Sequence, residues 1–339
     1  MSKVIGGIST ELNTKKVGKL EITTLADGSM LKIPFHVITG SRPGPTLLLI
    51  STMVGLEWPS IEYVHKALQE TENEDFAGTL VVVPVANPLA YQSGARDIPF
   101  IMRNRALNES FPGSPNGLLG QRMAHELTEK IVKNVDGIIY LTTTFKRMAT
   151  ESVTILNNLS GDLSERTLEM AEAFGLEAIH SRPLIPQREG SVNAYAAELG
   201  IPVIQPESGN PEFGFSGARE FFLEKNVTGI RNVMKHFGML EGAIVEPRKQ
   251  ALVTQMTPML SKYGGYFYPE IGLDRLAGIV KKGELLGKTI CPYTFEELER
   301  FEAPFDSVCM MMRSSGPIQP GDDAYEFADL ENLTWLKEP

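Results

Sequence analysis

Four polar side chains of this sequence each follow an apolar run that is predicted to form a β-strand. They are Glu57, Asn108, Thr142 and Glu207. Ligands of an open α/β sheet bind beyond the carboxyl ends of its strands, so we expect the four side chains at one rim. Two carboxyl groups in one cavity can divide acid and base work when burial raises the pKa of one of them. The pattern therefore predicts acid–base chemistry by Glu57 and Glu207, with Asn108 and Thr142 lining the pocket.

Three arginines that follow the second predicted strand are candidate ligand contacts. They are Arg96, Arg103 and Arg105. A guanidinium group binds a carboxylate through two parallel hydrogen bonds. We therefore expect the ligand to be a small polar molecule or a carboxylate.

Each candidate also has a purely structural interpretation. Glu57 suits the start of a helix, where the helix dipole favours an acidic side chain. Glu207, beside Ser208 and Gly209, suits a turn. Asn108 could satisfy backbone groups of its loop, and the arginines could be solvated surface charges. Both interpretations stay open at this point.

The elements that must position these side chains alternate between strand and helix. Short apolar runs predict strands that are buried on both faces at 46–50, 79–85, 137–141 and 201–205. Amphipathic spacing predicts helices at 59–71, 118–132, 167–174, 191–199 and 220–237. Such alternation is typical of an α/β domain with a mostly parallel sheet.

Helical periodicity fades after about residue 240, where short strand-like segments lie between glycine and proline turn signals. These segments are 251–257, 265–268, 276–280, 307–313 and 323–328. They predict a small all-β module, either a barrel or a sandwich. We therefore divide the chain into an α/β domain at 1–243, with N-terminal strands in 1–40, and a β-module at 244–339.

Composition excludes several classes of function. The 339 residues carry a net charge of −10, which disfavours a general nucleic-acid binder. Two cysteines, Cys291 and Cys309, do not make a disulfide scaffold and suit a reducing compartment. The N-terminal residues lack the apolar core of a signal peptide, and the longest apolar runs are too short to cross a membrane. We expect a cytoplasmic protein with neither a nucleic-acid nor a membrane partner.

Six motifs, in order, resemble those of the succinylglutamate desuccinylase/aspartoacylase family. They are GPTLLLISTMVGLEWPSIE at 44–62, NPLAY at 87–91 followed by Arg96, ALNESFPG at 106–113, RMAH at 122–125, YLT at 140–142, and GIP at 200–202 with ESG at 207–209. The resemblance covers most of residues 40–330. It implies a zinc-carboxypeptidase-like fold, with a mixed sheet flanked by helices, plus a C-terminal all-β module.

The sequence departs from this family at the zinc site that the resemblance implies. The family binds zinc through His and Glu of an H-x-x-E motif and the His of a D-L-H motif. The matching positions here are Val54, Glu57 and Thr142. A catalytic zinc normally takes three protein ligands, so we predict no bound cofactor, although zinc is expected for the family. The family's substrate-binding Arg is replaced by Glu109, and Arg96, Arg103 or Arg105 could take its place.

Glu207 matches the general base of the family. The resemblance therefore implies a hydrolase of C–N bonds that acts on a small N-acyl amino acid or related carboxylate amide, here without zinc. The alternative is a pseudoenzyme, a non-catalytic subunit that binds a small ligand or regulates another protein. We expect either a homo-oligomer or a complex with an active relative.

Overall fold

The structure is a computed structural model that describes residues 3–71, 74–98, 106–144, 147–186, 189–209 and 214–339. The described helices are α1 (Pro59–Thr71), α2 (Pro88–Ser93), α3 (Leu119–Lys130), α4 (Asp162–Phe174), α5 (Val192–Glu198) and α6 (Ala218–His236). The first ten strands are β1 (Val4–Ile5), β2 (Ile8–Ser9), β3 (Thr14–Thr24), β4 (Met30–Thr39), β5 (Arg42–Ser51), β6 (Ala77–Val83), β7 (Gly137–Leu141), β8 (Met148–Leu156), β9 (Ala178–Arg182) and β10 (Val203–Gly209). The later strands are β11 (Gln250–Val253), β12 (Thr257–Leu260), β13 (Gly265–Pro269), β14 (Ile279–Val280), β15 (Leu285–Ile290), β16 (Glu297–Glu302), β17 (Ser307–Arg313), β18 (Gly316–Ile318), β19 (Asp323–Asp329) and β20 (Thr334–Lys337).

The predicted strand–helix alternation is confirmed. Helix α1 and strand β7 have the predicted bounds, and α3, α5 and α6 differ from their predicted bounds by at most two residues at either end. Helix α4 begins at Asp162 rather than at residue 167. The predicted strand at 251–257 is wrong in detail, because its two ends belong to separate strands, β11 and β12.

One large mixed sheet runs through the molecule in the order β12-β19-β17-β8-β10-β7-β5-β6-β4-β3. The central strands β10, β7, β5 and β6 are parallel, whereas β8 and β4 on either side of them are antiparallel to their neighbours. The sheet is therefore mixed, as the family resemblance implies. The carboxyl ends of the parallel strands meet at one edge, which is where the candidate site lies.

Alternating side chains of β5 pack into two different hydrophobic cores. Leu48 and Ile50 face the core under α3 and α5, and Leu47 and Leu49 face the core under α1, α4 and α6. Successive strand residues point to opposite faces, so a continuously apolar run belongs to a strand that is covered on both sides. This burial fixes the register of β5 and hence the position of the turn that follows it.

The C-terminal strands divide between two sheets. Strands β12, β17 and β19 extend the large sheet beyond β8, and β13, β15, β16 and β18 form a separate four-stranded sheet. Phe267 and Phe301 of the smaller sheet pack edge-to-face at 5.4 Å, in a core that also holds Tyr325 and Phe327 of β19. The all-β character of the C-terminal region is confirmed, and the boundary between residues 243 and 244 stays a prediction.

Strand β8 is absent from the sequence-based prediction, although it is buried along its whole length. Every second residue in the middle of β8 is polar, and these residues lie on one face of the sheet. They are Thr150, Ser152 and Thr154, and each is at most 3% exposed. On the other face Glu151 is 1% exposed and pairs with Lys225 of α6. Burial raises the pKa of Glu151 to about 7, although Lys225 acts to lower it.

Replacing Lys225 with Met is expected to destabilise the fold by about 2 kcal/mol at pH 8, because it leaves a buried carboxylate without its cation. The value lies below that of a fully buried pair because the Lys225 side chain is 30% exposed. At pH 5, Glu151 is already protonated in the native state, so the same substitution should have a much smaller effect. Urea unfolding at both pH values measures the difference. Lys66→Met, at an exposed position of α1, is the control. Equal effects of Lys225→Met at pH 5 and pH 8 would contradict the argument.

No helix among the described residues combines the length and the apolar character needed to cross a membrane.

Candidate active site

The turn after β5 brings Glu57 to the edge of the sheet. Thr52 in this turn has a φ of 54°, a backbone conformation that residues other than glycine rarely adopt. The backbone N–H of Asn87, the N-cap of α2, donates to the Thr52 carbonyl at 2.9 Å. Gly55 allows α2 to approach closely, since a Cβ there would lie 2.2 Å from the carbonyl oxygen of Ala90. The turn is thus fixed by backbone contacts with the segment after β6.

Glu57 is a buried acid that is held by two hydrogen-bond donors. The Val54 N–H donates to Oε2 at 3.1 Å, and the Tyr140 hydroxyl donates to Oε1 at 2.9 Å. Only 2% of Glu57 is exposed, and this burial raises its pKa to about 8, with a smaller contribution from the Glu207 carboxylate. Burial also raises the pKa of Tyr140 well above its usual value, so its hydroxyl stays protonated. Burial thus favours the protonated, neutral form of Glu57.

Glu207 reaches the same cavity from β10. Thr142 follows β7 and forms a parallel bridge with Glu207, in which its N–H donates to the carbonyl of Pro206 at 2.9 Å. The bridge continues with the Ser208 N–H, which donates to the Thr142 carbonyl at 3.2 Å. Glu207 is half-buried, whereas Glu57 is buried. The two carboxyl groups therefore share one cavity in different environments.

The cavity is small and mostly polar, with a volume of about 90 Å³. Its lining consists of Glu57, Arg96, Asn108, Glu109, Tyr140, Thr142, Thr143, Leu156, Arg182, Ser191, Asn193, Gln205 and Glu207. A cavity of this size can bury only a small ligand or part of a larger one.

The structure brings together five of the seven predicted site residues. Glu57, Asn108, Thr142, Glu207 and Arg96 line the cavity, and their roles stay predictions. Arg103 and Arg105 lie outside the described residues.

Arg96 is paired with acidic neighbours at the cavity wall. Its Nη2 lies 3.3 Å from Oε1 of Glu109, and its Nε lies 3.9 Å from Asp97. Glu109, which stands where the family has an arginine, thus interacts with the cation that was predicted to replace that arginine.

Eight residues that the sequence analysis did not predict as site residues also line the cavity. They are Glu109, Tyr140, Thr143, Leu156, Arg182, Ser191, Asn193 and Gln205. Two of them carried a usable signal: Tyr140 and Gln205 each lie two residues before a predicted site residue, and strand alternation puts such pairs on one face. Arg182 and Asn193 come from β9 and α5, whose path across the sheet is set by tertiary packing.

Comparison with known proteins agrees with the motifs. The model of the succinylglutamate desuccinylase/aspartoacylase catalytic domain matches residues 43–237, which is more than half of the chain. The chain belongs to this family.

A curated protein is similar in sequence to this member of the desuccinylase/aspartoacylase family. An N-alpha-acetyl-L-2,4-diaminobutyric acid deacetylase from Halomonas elongata is 27% identical over 236 residues, which are 66% of this chain and 64% of that protein. The chain thus aligns with less than two thirds of that curated relative.

Solved structures show the same fold. A succinylglutamate desuccinylase from Silicibacter sp. TM1040 superposes with a TM-score of 0.76 at 23% identity, and covers 95% of this chain and 97% of its own. The product-bound ectoine utilization protein EutE (DoeB) from Ruegeria pomeroyi has the same TM-score and coverage at 22% identity.

The residues of this family member do not fit the zinc ion that its family implies. Val54 is fully buried and has no lone pair to donate. Glu57 supplies only one carboxyl group, and Thr142 offers a hydroxyl in place of an imidazole. Among the described residues, no group of three or more His, Cys, Asp or Glu side chains is placed to hold a metal ion. The donor set is too small for a catalytic zinc site.

Proposed function

We propose that this protein hydrolyses a small N-acyl amino acid or a related carboxylate amide, with Glu207 as the general base and without zinc. The observation that supports this most directly is the pair of carboxyl groups, one buried and one half-buried, in a single polar cavity. Two carboxyl groups in unlike environments can hold different protonation states and serve as acid and base. The deacetylase relative acts on an N-acetyl amino acid, as its name states.

In the proposed reaction, Glu207 removes a proton from a water molecule as the water oxygen attacks the acyl carbonyl carbon. The C–N bond then breaks, and protonated Glu207 returns the proton to the departing amine nitrogen. Water and amide thereby yield a carboxylic acid and an amine, and the enzyme is unchanged. General acid–base help of this kind contributes about 100- to 10,000-fold to a rate.

Glu57 has a different part in this proposal. As a neutral acid it can donate a hydrogen bond to the carbonyl oxygen as negative charge develops there. Val54 and Tyr140 both donate to Glu57, so its remaining O–H is the group that is available to the ligand. Burial keeps this proton in place up to about pH 8. The site thus supplies one proton donor and one proton acceptor without a metal.

The experiment is an assay of amine release from a panel of N-acetyl amino acids before and after dialysis against a chelator. We expect equal turnover in both samples and less than one zinc per chain by elemental analysis, because the donor set is too small to retain the ion. Loss of turnover that zinc restores, with one zinc bound per chain, would contradict the proposal.

The pseudoenzyme alternative is favoured by one specific observation, the replacement of the family's imidazole ligands by Val54 and Thr142. In that case the cavity binds the same class of ligand without cleaving it. The two proposals separate in one measurement: stabilisation of the protein against heat by N-acetyl amino acids, with no amine release from any of them, supports the non-catalytic alternative.

A further inference from the structure

Asn193 is a buried carboxamide in the wall of the candidate active-site cavity. It lies in α5 and is only 6% exposed. The Ser191 hydroxyl caps this helix by accepting the Ala194 N–H at 3.1 Å, so the backbone that carries Asn193 is fixed. Asn193 lines the cavity together with Gln205 of β10. Its polar side chain is therefore presented to the cavity and not to bulk solvent.

A shared hydrogen-bond acceptor decides how the Asn193 carboxamide is turned. Nη2 of Arg182 and Nδ2 of Asn193 both donate to Oε1 of Gln205, at 3.5 Å and 3.3 Å. A guanidinium group has donors only, so the Gln205 atom that faces Arg182 must be its oxygen. That oxygen requires a donor from Asn193 as well, and the donor is the Nδ2 amide. The network thus turns Oδ1 of Asn193 away from Gln205.

Oδ1 of Asn193 is buried, and none of the described residues donates a hydrogen bond to it. Oδ1 of Asn108, another lining residue, is likewise buried without a donor from that part of the chain. Buried polar atoms are almost always paired, so unpaired oxygens in a cavity wall indicate groups that a ligand satisfies. Asn193 is the more deeply buried of the two, and a described hydrogen bond fixes its orientation.

A carboxamide oxygen accepts hydrogen bonds and cannot donate them, so the ligand must supply the donor. The last torsion of an asparagine side chain is soft, so Oδ1 can turn toward a donor in the cavity. In an N-acyl amino acid, that donor is the N–H of the scissile amide. An ester has an oxygen at this place, whose lone pairs would face those of Oδ1. A site that hydrogen-bonds one group of a substrate rejects analogues that lack the group.

We propose that Asn193 accepts a hydrogen bond from the N–H of the scissile amide and thereby restricts the ligand to secondary amides, excluding esters and N-alkylated amides. This inference rests on the proposed function, because it defines the substrate class of the same site more narrowly. Asn193 is then a specificity-determining residue, and Gln205 orients it.

The test compares calorimetric binding of N-acetylglycine with that of acetoxyacetate, in which an ester oxygen replaces the N–H. The full chain carries Glu207→Gln, so that no turnover consumes either probe. Both probes have the same acyl group and the same carboxylate, so the ratio of their affinities isolates the N–H. We expect N-acetylglycine to bind about 5- to 100-fold more tightly, because its N–H satisfies a buried acceptor. N-acetylsarcosine, whose nitrogen carries a methyl group in place of hydrogen, should bind no better than the ester.

Two substitutions at position 193 connect this preference to the carboxamide oxygen. Asn193→Leu has a similar size but no acceptor, so it should abolish the preference for the amide. Asn193→Asp keeps an acceptor and should keep the preference, since its added charge affects two equally charged probes alike. Asn116→Leu, at an exposed position outside the cavity lining, is the matched control and should leave the ratio unchanged.

Equal affinity for the amide and the ester with Asn193 intact would overturn the inference, whether or not Asn193→Leu folds, and would mean that water alone satisfies Oδ1. A preference that persists in a folded Asn193→Leu chain, or no binding of N-acetylglycine, would overturn it as well. Failure of the proposed function is a different result. Turnover that depends on Glu207, without any preference for the amide, removes only this inference. A preference that depends on Asn193, in a protein that never releases amine, removes only the hydrolytic step.

Discussion

The variant Glu207→Gln is expected to lose about 100- to 10,000-fold in turnover of N-acetyl amino acids, because an amide cannot accept the proton of the attacking water. Binding should change far less, since glutamine keeps the size of the side chain and can still form hydrogen bonds. The loss should therefore fall on kcat, with a smaller change in KM. Steady-state kinetics of amine release measure both quantities.

The matched control for this experiment is Glu198→Gln, at an exposed position near the end of α5. It removes one negative charge from the chain without touching the cavity, so turnover should stay at the wild-type level. Thermal unfolding of both variants should match that of the wild type to within a few degrees. Undiminished turnover in a correctly folded Glu207→Gln variant would exclude Glu207 as the base.

The central part of the fold follows from sequence patterns because burial there leaves a simple signal. Strand β7 is buried at every position and lies between two helical layers, and helix α1 has one apolar face. Strand β8 gives no such signal, since Thr150, Ser152 and Thr154 are polar yet buried. These residues are covered by tertiary packing that local periodicity cannot reveal.

The candidate site likewise has some features that follow from sequence patterns and others that only the structure shows. Glu57 follows β5 and Glu207 lies near the carboxyl end of β10, so sheet geometry alone predicts that both lie at the same rim. Strand alternation could place Tyr140 on the same face as Thr142, but its hydrogen bond to Glu57 could not be predicted, because that contact depends on the register between β5 and β7. The pairing of Arg96 with Glu109 likewise depends on how two loops fold against each other. Sheet geometry predicts which side chains lie near strand ends, whereas contacts between loops require the structure.

Stability is expected to fall as the pH rises from about 5 to 8, and Glu57 should cause a distinct part of that fall. Its pKa is about 8 in the folded state against 4.5 ordinarily, so the folded state binds a proton that the unfolded state has released. The stabilisation is fully present below pH 4.5 and is lost as the pH approaches 8. The slope is about 1.4 kcal/mol per pH unit within that window.

The variant Glu57→Gln isolates this contribution, because glutamine does not titrate. Glu151 and Glu326 also have pKa values raised to about 7 by burial, so the variant should keep part of the slope. The difference between the urea-unfolding free energies of wild type and variant should therefore change with pH between 5 and 8, with the variant gaining relative to the wild type as the pH rises. Parallel curves would mean that Glu57 is ionised in the folded protein near neutral pH. The cavity would then hold two carboxylates and lack a proton donor, and Glu57 could not stabilise a developing oxyanion.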